Sequence, residues 1–132
     1  MNTLMRWGKF NLVGVVGMLV QLGALAVFVQ LVPGHYLCAS AAALEVTLLH
    51  NFVWHCKFTW RDRRDDAGLA TRLMRFHLTN GLVSMIGNLV LTRILVHDAR
   101  MAVLEANGIA ILCCSIVNFC LSDSWAFAVR AY

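Results

Sequence analysis

The chain carries one hydrophobic pattern twice. Each half begins with a basic residue and a phenylalanine ahead of a long apolar run, and ends with asparagine-phenylalanine followed by two further aromatic residues. The beginnings are Lys9-Phe10 and Arg75-Phe76; the ends are Asn51-Phe52 with Phe58 and Trp60, and Asn118-Phe119 with Trp125 and Phe127. The beginnings lie 66 residues apart and the ends 67 apart, so a single-residue gap aligns the halves. Because each half holds two apolar stretches, the repeat predicts a membrane protein with internal pseudo-symmetry.

Composition supports this interpretation. Hydrophobic residues make up 60% of the chain and charged residues 14%, whereas soluble domains are about half apolar and a quarter charged. A membrane-spanning helix needs about 20 residues, and alternating strands typical of a barrel are absent from the sequence. We therefore predict an all-α integral membrane four-helix bundle. Its predicted spans are Phe10–Val32, Tyr36–Trp54, Phe76–Val96 and Gly108–Val129. An alternative start for the fourth span is Met101.

The basic residues predict the orientation of the spans. Cytoplasmic loops are enriched in Lys and Arg, and nine of the eleven basic residues fall on one side. Both termini and the central loop are therefore predicted to be cytoplasmic, which makes the halves parallel two-span hairpin repeats. We expect one domain over residues 1–132, with repeat one at about 6–60, a linker at 61–72 and repeat two at about 73–130. The nine are Arg6, Lys9, Lys57, Arg61, Arg63, Arg64, Arg72, Arg75 and Arg130; the two are Arg93 and Arg100.

The sequence contains no pattern typical of catalysis or metal binding. Its five cysteines form no CxxC pair and no zinc spacing with histidine, and we interpret them as packing residues. No Ser/His/Asp set, paired carboxylates or Gly-rich phosphate loop is present. We therefore predict no enzyme activity, no metal, no cofactor and, since topology accounts for the basic residues, no nucleic-acid partner.

An acidic residue lies deep in the second predicted span. Glu45 lies about 12 residues before the basic residue Lys57 at the cytoplasmic boundary, hence roughly 18 Å deep at about 1.5 Å per residue. There an acid costs several kcal/mol unless it is paired, hydrated or protonated. Two interpretations stay open: a group that lines a translocation path, together with Gln21 and Ser122, or a protonated carboxyl that fixes helix packing.

Polar and basic residues gather at the predicted cytoplasmic ends of the spans. Asn51 and His55 share one helix face, as do Asn118 and Ser122. They are either hydrogen-bonding contacts between helices or a polar vestibule for a head group. Lys57 and Arg75 flank the repeated motifs and are candidates for binding a lipid phosphate. Trp60 and Trp125 are expected to be interfacial anchors.

The pattern resembles the GtrA-like family, the small four-span proteins related to the membrane domain of dolichyl-phosphate mannose synthases. The resemblance extends over about residues 6–130. One departure is that Asp123-Ser124 stands where the family pattern has a basic residue, so any bound phosphate is expected in the first half. The motifs are Lys9-Phe10 with Val13-Gly14, Asn51-Phe52 ahead of Lys57-Phe58-Thr59-Trp60, Arg75-Phe76, and Asn118-Phe119 ahead of Trp125-Ala126-Phe127.

The resemblance implies a function in cell-surface polysaccharide or lipopolysaccharide modification. Such a protein is expected to move a polyprenyl-phosphate-linked sugar across the bacterial inner membrane, beside a membrane glycosyltransferase and among membrane lipids. Lys57, Arg75, Asn51, His55 and Asn118 would then contact the phosphate or sugar. A scaffold that positions the glycosyltransferase is the first alternative, and a proton-coupled exporter is a weaker one because span one has no acid. Four spans barely enclose a sugar, so homo-oligomerisation stays open.

Overall fold

The computed structural model describes residues 2–63 and 68–128. These residues are helical with short connections and contain no strand. They divide into two compact units, Met1–Asp62 and Arg63–Tyr132. The predicted end of the fourth span at Val129 and two of the topology residues, Arg64 and Arg130, lie outside the described residues.

The first unit is a helical hairpin. Helix α1 spans Thr3–Leu31, and Asn2 caps it by accepting hydrogen bonds from the next turn. The chain then turns through Pro33, which cannot continue a helix, and Gly34 at φ +80°. Helix α2 spans Tyr36–Trp54 and continues through a π-helical segment, His55–Thr59.

The second unit is also a helical hairpin, but its first limb, unlike α1, contains a π-helical segment. Helix α3 (Leu69–Phe76), a π-helical segment (His77–Val83) and helix α4 (Ser84–His97) follow one another without interruption. After a turn with Arg100 at φ +53°, helix α5 spans Val103–Leu121 and ends in a π-helical segment, Ser122–Ala126. π-Helical turns are rare and are frequently found at functional sites.

Each unit is held together along a row of residues spaced four apart on its second long helix. Alanines begin both rows and leave room for close helix packing. In the first unit Gly17 of α1 completes the contact, because a methyl group there would overlap the Asn51 side chain. In the second, the position of a methyl on Gly87 would be 3.2 Å from Cys114 Sγ. The rows are Ala39, Ala43, Thr47, Asn51 and His55, and Ala106, Ala110, Cys114, Asn118 and Ser122; Asn51 is half-buried and the others are buried.

Three continuous helices of the described residues are long and apolar enough to cross a membrane: Thr3–Leu31, Leu69–His97 and Gly108–Ala126. They correspond to the first, third and fourth predicted spans. The first and third begin seven residues before the predicted positions, because polar first turns that hydropathy does not detect are helical. The second predicted span coincides with α2, whose 19 residues form one helix.

Candidate functional site

An aromatic cluster closes the end of the first unit. Trp60 is completely buried and meets Phe10 edge-on, with ring centroids 5.9 Å apart. His55 stacks on Phe10 at 4.8 Å, and its Nδ1 is 2.9 Å from the Thr59 hydroxyl. Because no part of its ring reaches the surface, Trp60 is a core residue here, and the expectation of an interfacial anchor is corrected.

The second unit has an aromatic pair at the matching positions. Phe76 and Phe127 meet edge-on at 6.0 Å. Where the first unit has His55, this unit has Ser122, which is completely buried and accepts a hydrogen bond from Asn80 Nδ2 at 2.8 Å. Asn80 also donates to Thr79 Oγ1 at 3.0 Å. The polar group at the centre of this unit is thus a hydroxyl-amide pair.

A cation lies over an aromatic ring at the same end of both units. Lys9 Nζ is 4.6 Å from the centre of the Phe58 ring, and Arg75 Cζ is 5.9 Å from that of Trp125. Arg75 Nη1 also donates to the backbone carbonyl of Trp125 at 3.4 Å. Trp125 is 43% exposed, in contrast to Trp60. A cation over an aromatic face is attracted by the ring quadrupole, so both rings position a positive charge.

The first unit contains an apolar cleft beside its cation. The cleft has a volume of about 210 Å³ and lies between α1 and the end of α2. Phe58, the ring beneath Lys9, is one of its walls. The arrangement is suited to a ligand with an apolar chain next to a negative charge. The lining residues are Leu12, Val13, Val16, His50, Trp54 and Phe58.

The other predicted site residues differ in accessibility. Lys57 and Glu45 are exposed, and Gln21 is half-buried. Asn51 is half-buried, with its Oδ1 3.1 Å from His50 Nδ1. The predicted site residues at these positions of the first unit are therefore exposed or half-buried.

Two of the predicted contact residues and one predicted path residue lie inside their units. His55 is 2% exposed, Asn118 is 8% exposed and Ser122 is completely buried. The Oδ1 atom of Asn118 is buried and has no hydrogen-bond donor among the described residues. A bound ligand would reach these three only through an opening of the unit.

Several charged residues of the structure were not predicted as site residues. Arg6 is 7% exposed and its Nη2 is 2.9 Å from Asp62 Oδ2. Desolvation alone would raise the pKa of the Asp62 carboxyl, but a backbone hydrogen bond and the Arg6 guanidinium together lower it. Arg63 pairs with Asp123 at 3.0 Å and donates to the Phe127 carbonyl at 3.2 Å, which caps the last helix.

A second arginine matches Arg6 in the other unit. Arg72 lies 66 residues after Arg6, the same offset that separates the two beginnings of the repeat. Its guanidinium carbon is 4.8 Å from the centre of the Phe127 ring. Its Nε and Nη2 atoms are both buried and have no hydrogen-bond acceptor among the described residues. The shared offset was the signal in the sequence that could have identified both arginines.

Long apolar helices with cations and aromatic rings at one end of each unit define a small membrane domain. A family model described as "GtrA/DPMS, transmembrane domain" matches residues 9–127, and the chain belongs to that family. The chain is also 38% identical over 71 residues to a dolichol-phosphate mannosyltransferase of Pyrococcus furiosus. The match covers 53% of this chain and 19% of that relative. The chain therefore spans only about a fifth of the length of this relative.

Proposed function

We propose that this protein moves a polyprenyl-phosphate-linked monosaccharide across the bacterial inner membrane, for modification of cell-surface polysaccharide or lipopolysaccharide. The observation that carries the proposal is the apolar cleft of the first unit with Lys9 against its Phe58 wall. A lipid phosphate combines a long apolar chain with a negative charge, and Lys and Arg bind such phosphates between helices. The name of the relative contains both a polyprenyl phosphate and a sugar.

The accessible residues contact different parts of the ligand. In the first unit Lys57, which is exposed, contacts the phosphate, and the cleft takes the first isoprene units. Arg75 is the corresponding phosphate contact of the second unit. Asn51, half-buried beside the cleft residue His50, contacts sugar or phosphate oxygens. Glu45 and half-buried Gln21 line the path.

The three buried polar residues enter the proposal differently. His55 holds its unit together by stacking on Phe10 of α1, and Ser122 does so by accepting a hydrogen bond from Asn80. Asn118, whose carbonyl oxygen has no donor among the described residues, contacts the sugar only when its unit opens. Trp125, exposed at the end of its helix, is the interfacial anchor.

The proposal includes the orientation inferred from the basic residues. The two units are parallel repeats with both termini in the cytoplasm. The cleft, at the start of α1 and the end of α2, lies toward that side, where lipid-linked sugars are made. Matching π-helical segments and matching cation–aromatic pairs support two copies of one unit. The domain acts without catalysis and without a cofactor.

The test is translocation of a polyprenyl-phosphate-linked sugar in liposomes that contain the purified protein. Wild type should move the sugar, and Lys57→Ala should reduce the rate by about tenfold, as expected when a charged hydrogen bond to phosphate is lost. Arg61→Ala is the matched control, because Arg61 is also exposed near the same helix end. Folded wild-type protein that moves no sugar, or equal loss in both variants, would refute the proposal.

A membrane scaffold for a glycosyltransferase is the second candidate. The relative favours it, because in that protein a segment similar to this chain is part of a polypeptide named as a mannosyltransferase. A scaffold predicts that a glycosyltransferase co-purifies and that Lys57→Ala still supports sugar modification in cells. Homo-oligomers, which either function allows, would be detected by mass measurement of the detergent complex.

A further inference from the structure

Arg72 and Arg6 occupy matching positions, and the described residues place a carboxylate on Arg6 but not on Arg72. Each lies three residues before the basic residue that begins its half, and each is partly or wholly enclosed by its own unit. Arg6 Nη2 meets the Asp62 carboxylate at 2.9 Å. The positions 66 and 67 residues after Asp62 are Ala128 and Val129, so the second half has no carboxylate at either.

The two unpaired nitrogens of Arg72 lie on one edge of its guanidinium. Nε and Nη2 point the same way, and this edge binds carboxylate and phosphate through two parallel hydrogen bonds. Both atoms are buried without an acceptor among the described residues. Burial of a cation without hydrogen bonds is costly, and the Phe127 ring 4.8 Å away satisfies only the face of the group, not its edge.

We propose that the Nε–Nη2 edge of Arg72 binds the oxyanion of a phosphate group, as Nη2 of Arg6 binds the Asp62 carboxylate. Arg72 as a whole is half-buried but this edge is not exposed, so a phosphate reaches it only when the side chain or its neighbours move. The ligand is either the head group of a lipid phosphate or a soluble phosphate, which share the same chemistry. The site extends the proposed function but does not rest on it, because binding at Arg72 can be measured without transport.

The experiment measures binding to the full-length protein in detergent. Thermal unfolding is followed with inorganic phosphate and with chloride at equal ionic strength. Native mass spectrometry then compares retention of polyprenyl phosphate with retention of the uncharged polyprenol of the same chain length. Stabilisation by inorganic phosphate identifies a soluble anion; selective retention of polyprenyl phosphate without it identifies a lipid head group.

Substitutions distinguish phosphate binding at Arg72 from non-specific attraction by the positive charge of the protein. Arg72→Met should weaken phosphate binding by about tenfold or more, and Arg72→Lys, which lacks the fork, by less. Arg72→Met should also unfold at a higher temperature than wild type without phosphate, because it removes a half-buried cation whose Nε and Nη2 have no acceptor among the described residues. The exposed Arg61→Gln control should keep the wild-type affinity within about twofold.

The most discriminating variant is one that should gain a phosphate-binding site at Arg6. Asp62→Asn removes the carboxylate from Arg6, and Arg6 should then bind a second phosphate that wild type does not bind. Equal phosphate affinity in wild type and Arg72→Met would overturn the proposal, as would absence of any phosphate binding. A lower unfolding temperature of Arg72→Met without phosphate would also contradict it, since Arg72 would then be satisfied by the protein itself.

Discussion

The two units share their framework and differ in their polar groups. Both bury a row of small residues every fourth position, end in a π-helical segment and place an aromatic pair about 6 Å apart. At the centre of that framework, the first unit has a histidine stacked on Phe10, and the second has a serine bonded to Asn80. Asn80 occupies the position that matches Gly14 in the first unit. The second unit therefore has an amide on its first limb, which donates to Ser122, where the first unit has no side chain.

This difference indicates which interactions define the unit. Shape is common to both: alanine contacts between the helices and an edge-on ring pair at the end. Charge and hydrogen bonding are particular to each unit, as with Asp62 on Arg6 and its missing counterpart at Arg72. Substitutions in the common framework should therefore affect the two units equally, whereas substitutions of the polar groups should not.

The largest effect is expected at the buried aromatic residues. Trp60→Ala and Phe127→Ala each remove a completely buried ring and should cost about 3–5 kcal/mol of unfolding free energy. Unfolding in detergent, followed by circular dichroism, measures both. The exposed Trp125→Ala is the control and should cost less than about 1 kcal/mol. Unequal losses at Trp60 and Phe127 would contradict a common framework.

Glycine substitutions test the helix contact of the first unit. Gly17→Ala places a methyl group on the Asn51 side chain and should cost about 1–3 kcal/mol through overpacking. Gly14→Ala, on the same helix, meets open space and should stabilise α1 by about 0.5–1 kcal/mol. The same unfolding measurement compares them. A Gly17→Ala protein as stable as Gly14→Ala would show that close packing at Gly17 is not required.

Exchange of the polar groups between units sharpens the comparison. His55→Ser removes the stack on Phe10 and should cost about 2 kcal/mol. Adding Gly14→Asn reproduces the serine-asparagine pair of the second unit, and Gly14 has room for it. The double variant should recover about 1 kcal/mol, the net contribution of one buried hydrogen bond. A double-mutant cycle with no coupling between the positions would show that the two polar arrangements are not interchangeable.

Hydropathy and spacing predicted the helices well but not the contacts between them. Helix α2 begins and ends at the predicted residues, and the Pro33-Gly34 turn before it marks its start in the sequence. The burial of Trp60 was not predicted, since an aromatic residue beside basic ones has the same pattern whether it faces lipid or the core. The offset between Arg6 and Arg72 was visible in the sequence. That Arg6 has an ion pair with Asp62 was not, because this pair depends on how the chain after Thr59 folds back.

The smallest expected effect is the decrease in unfolding temperature at acid pH that follows from loss of the Asp62–Arg6 pair in the first unit. The pKa of Asp62 is lowered in the folded state, so the pair with Arg6 stabilises the protein above the unfolded pKa of about 4. That contribution is lost as the pH falls through the lower folded-state value. Asp62 is 39% exposed and screened by solvent, so the change in unfolding temperature should be small.

Asp62→Asn should therefore be less stable than wild type at neutral pH, and the two curves should converge in acid. Thermal unfolding from pH 7 downward, in chloride buffers without phosphate, measures this convergence. Asp123→Asn, which alters the Arg63 pair of the second unit, is the matched control for the general loss of a carboxylate. If the difference between Asp62→Asn and wild type is independent of pH, the Asp62 carboxylate does not stabilise Arg6, and the two arginines are more alike than the structure indicates.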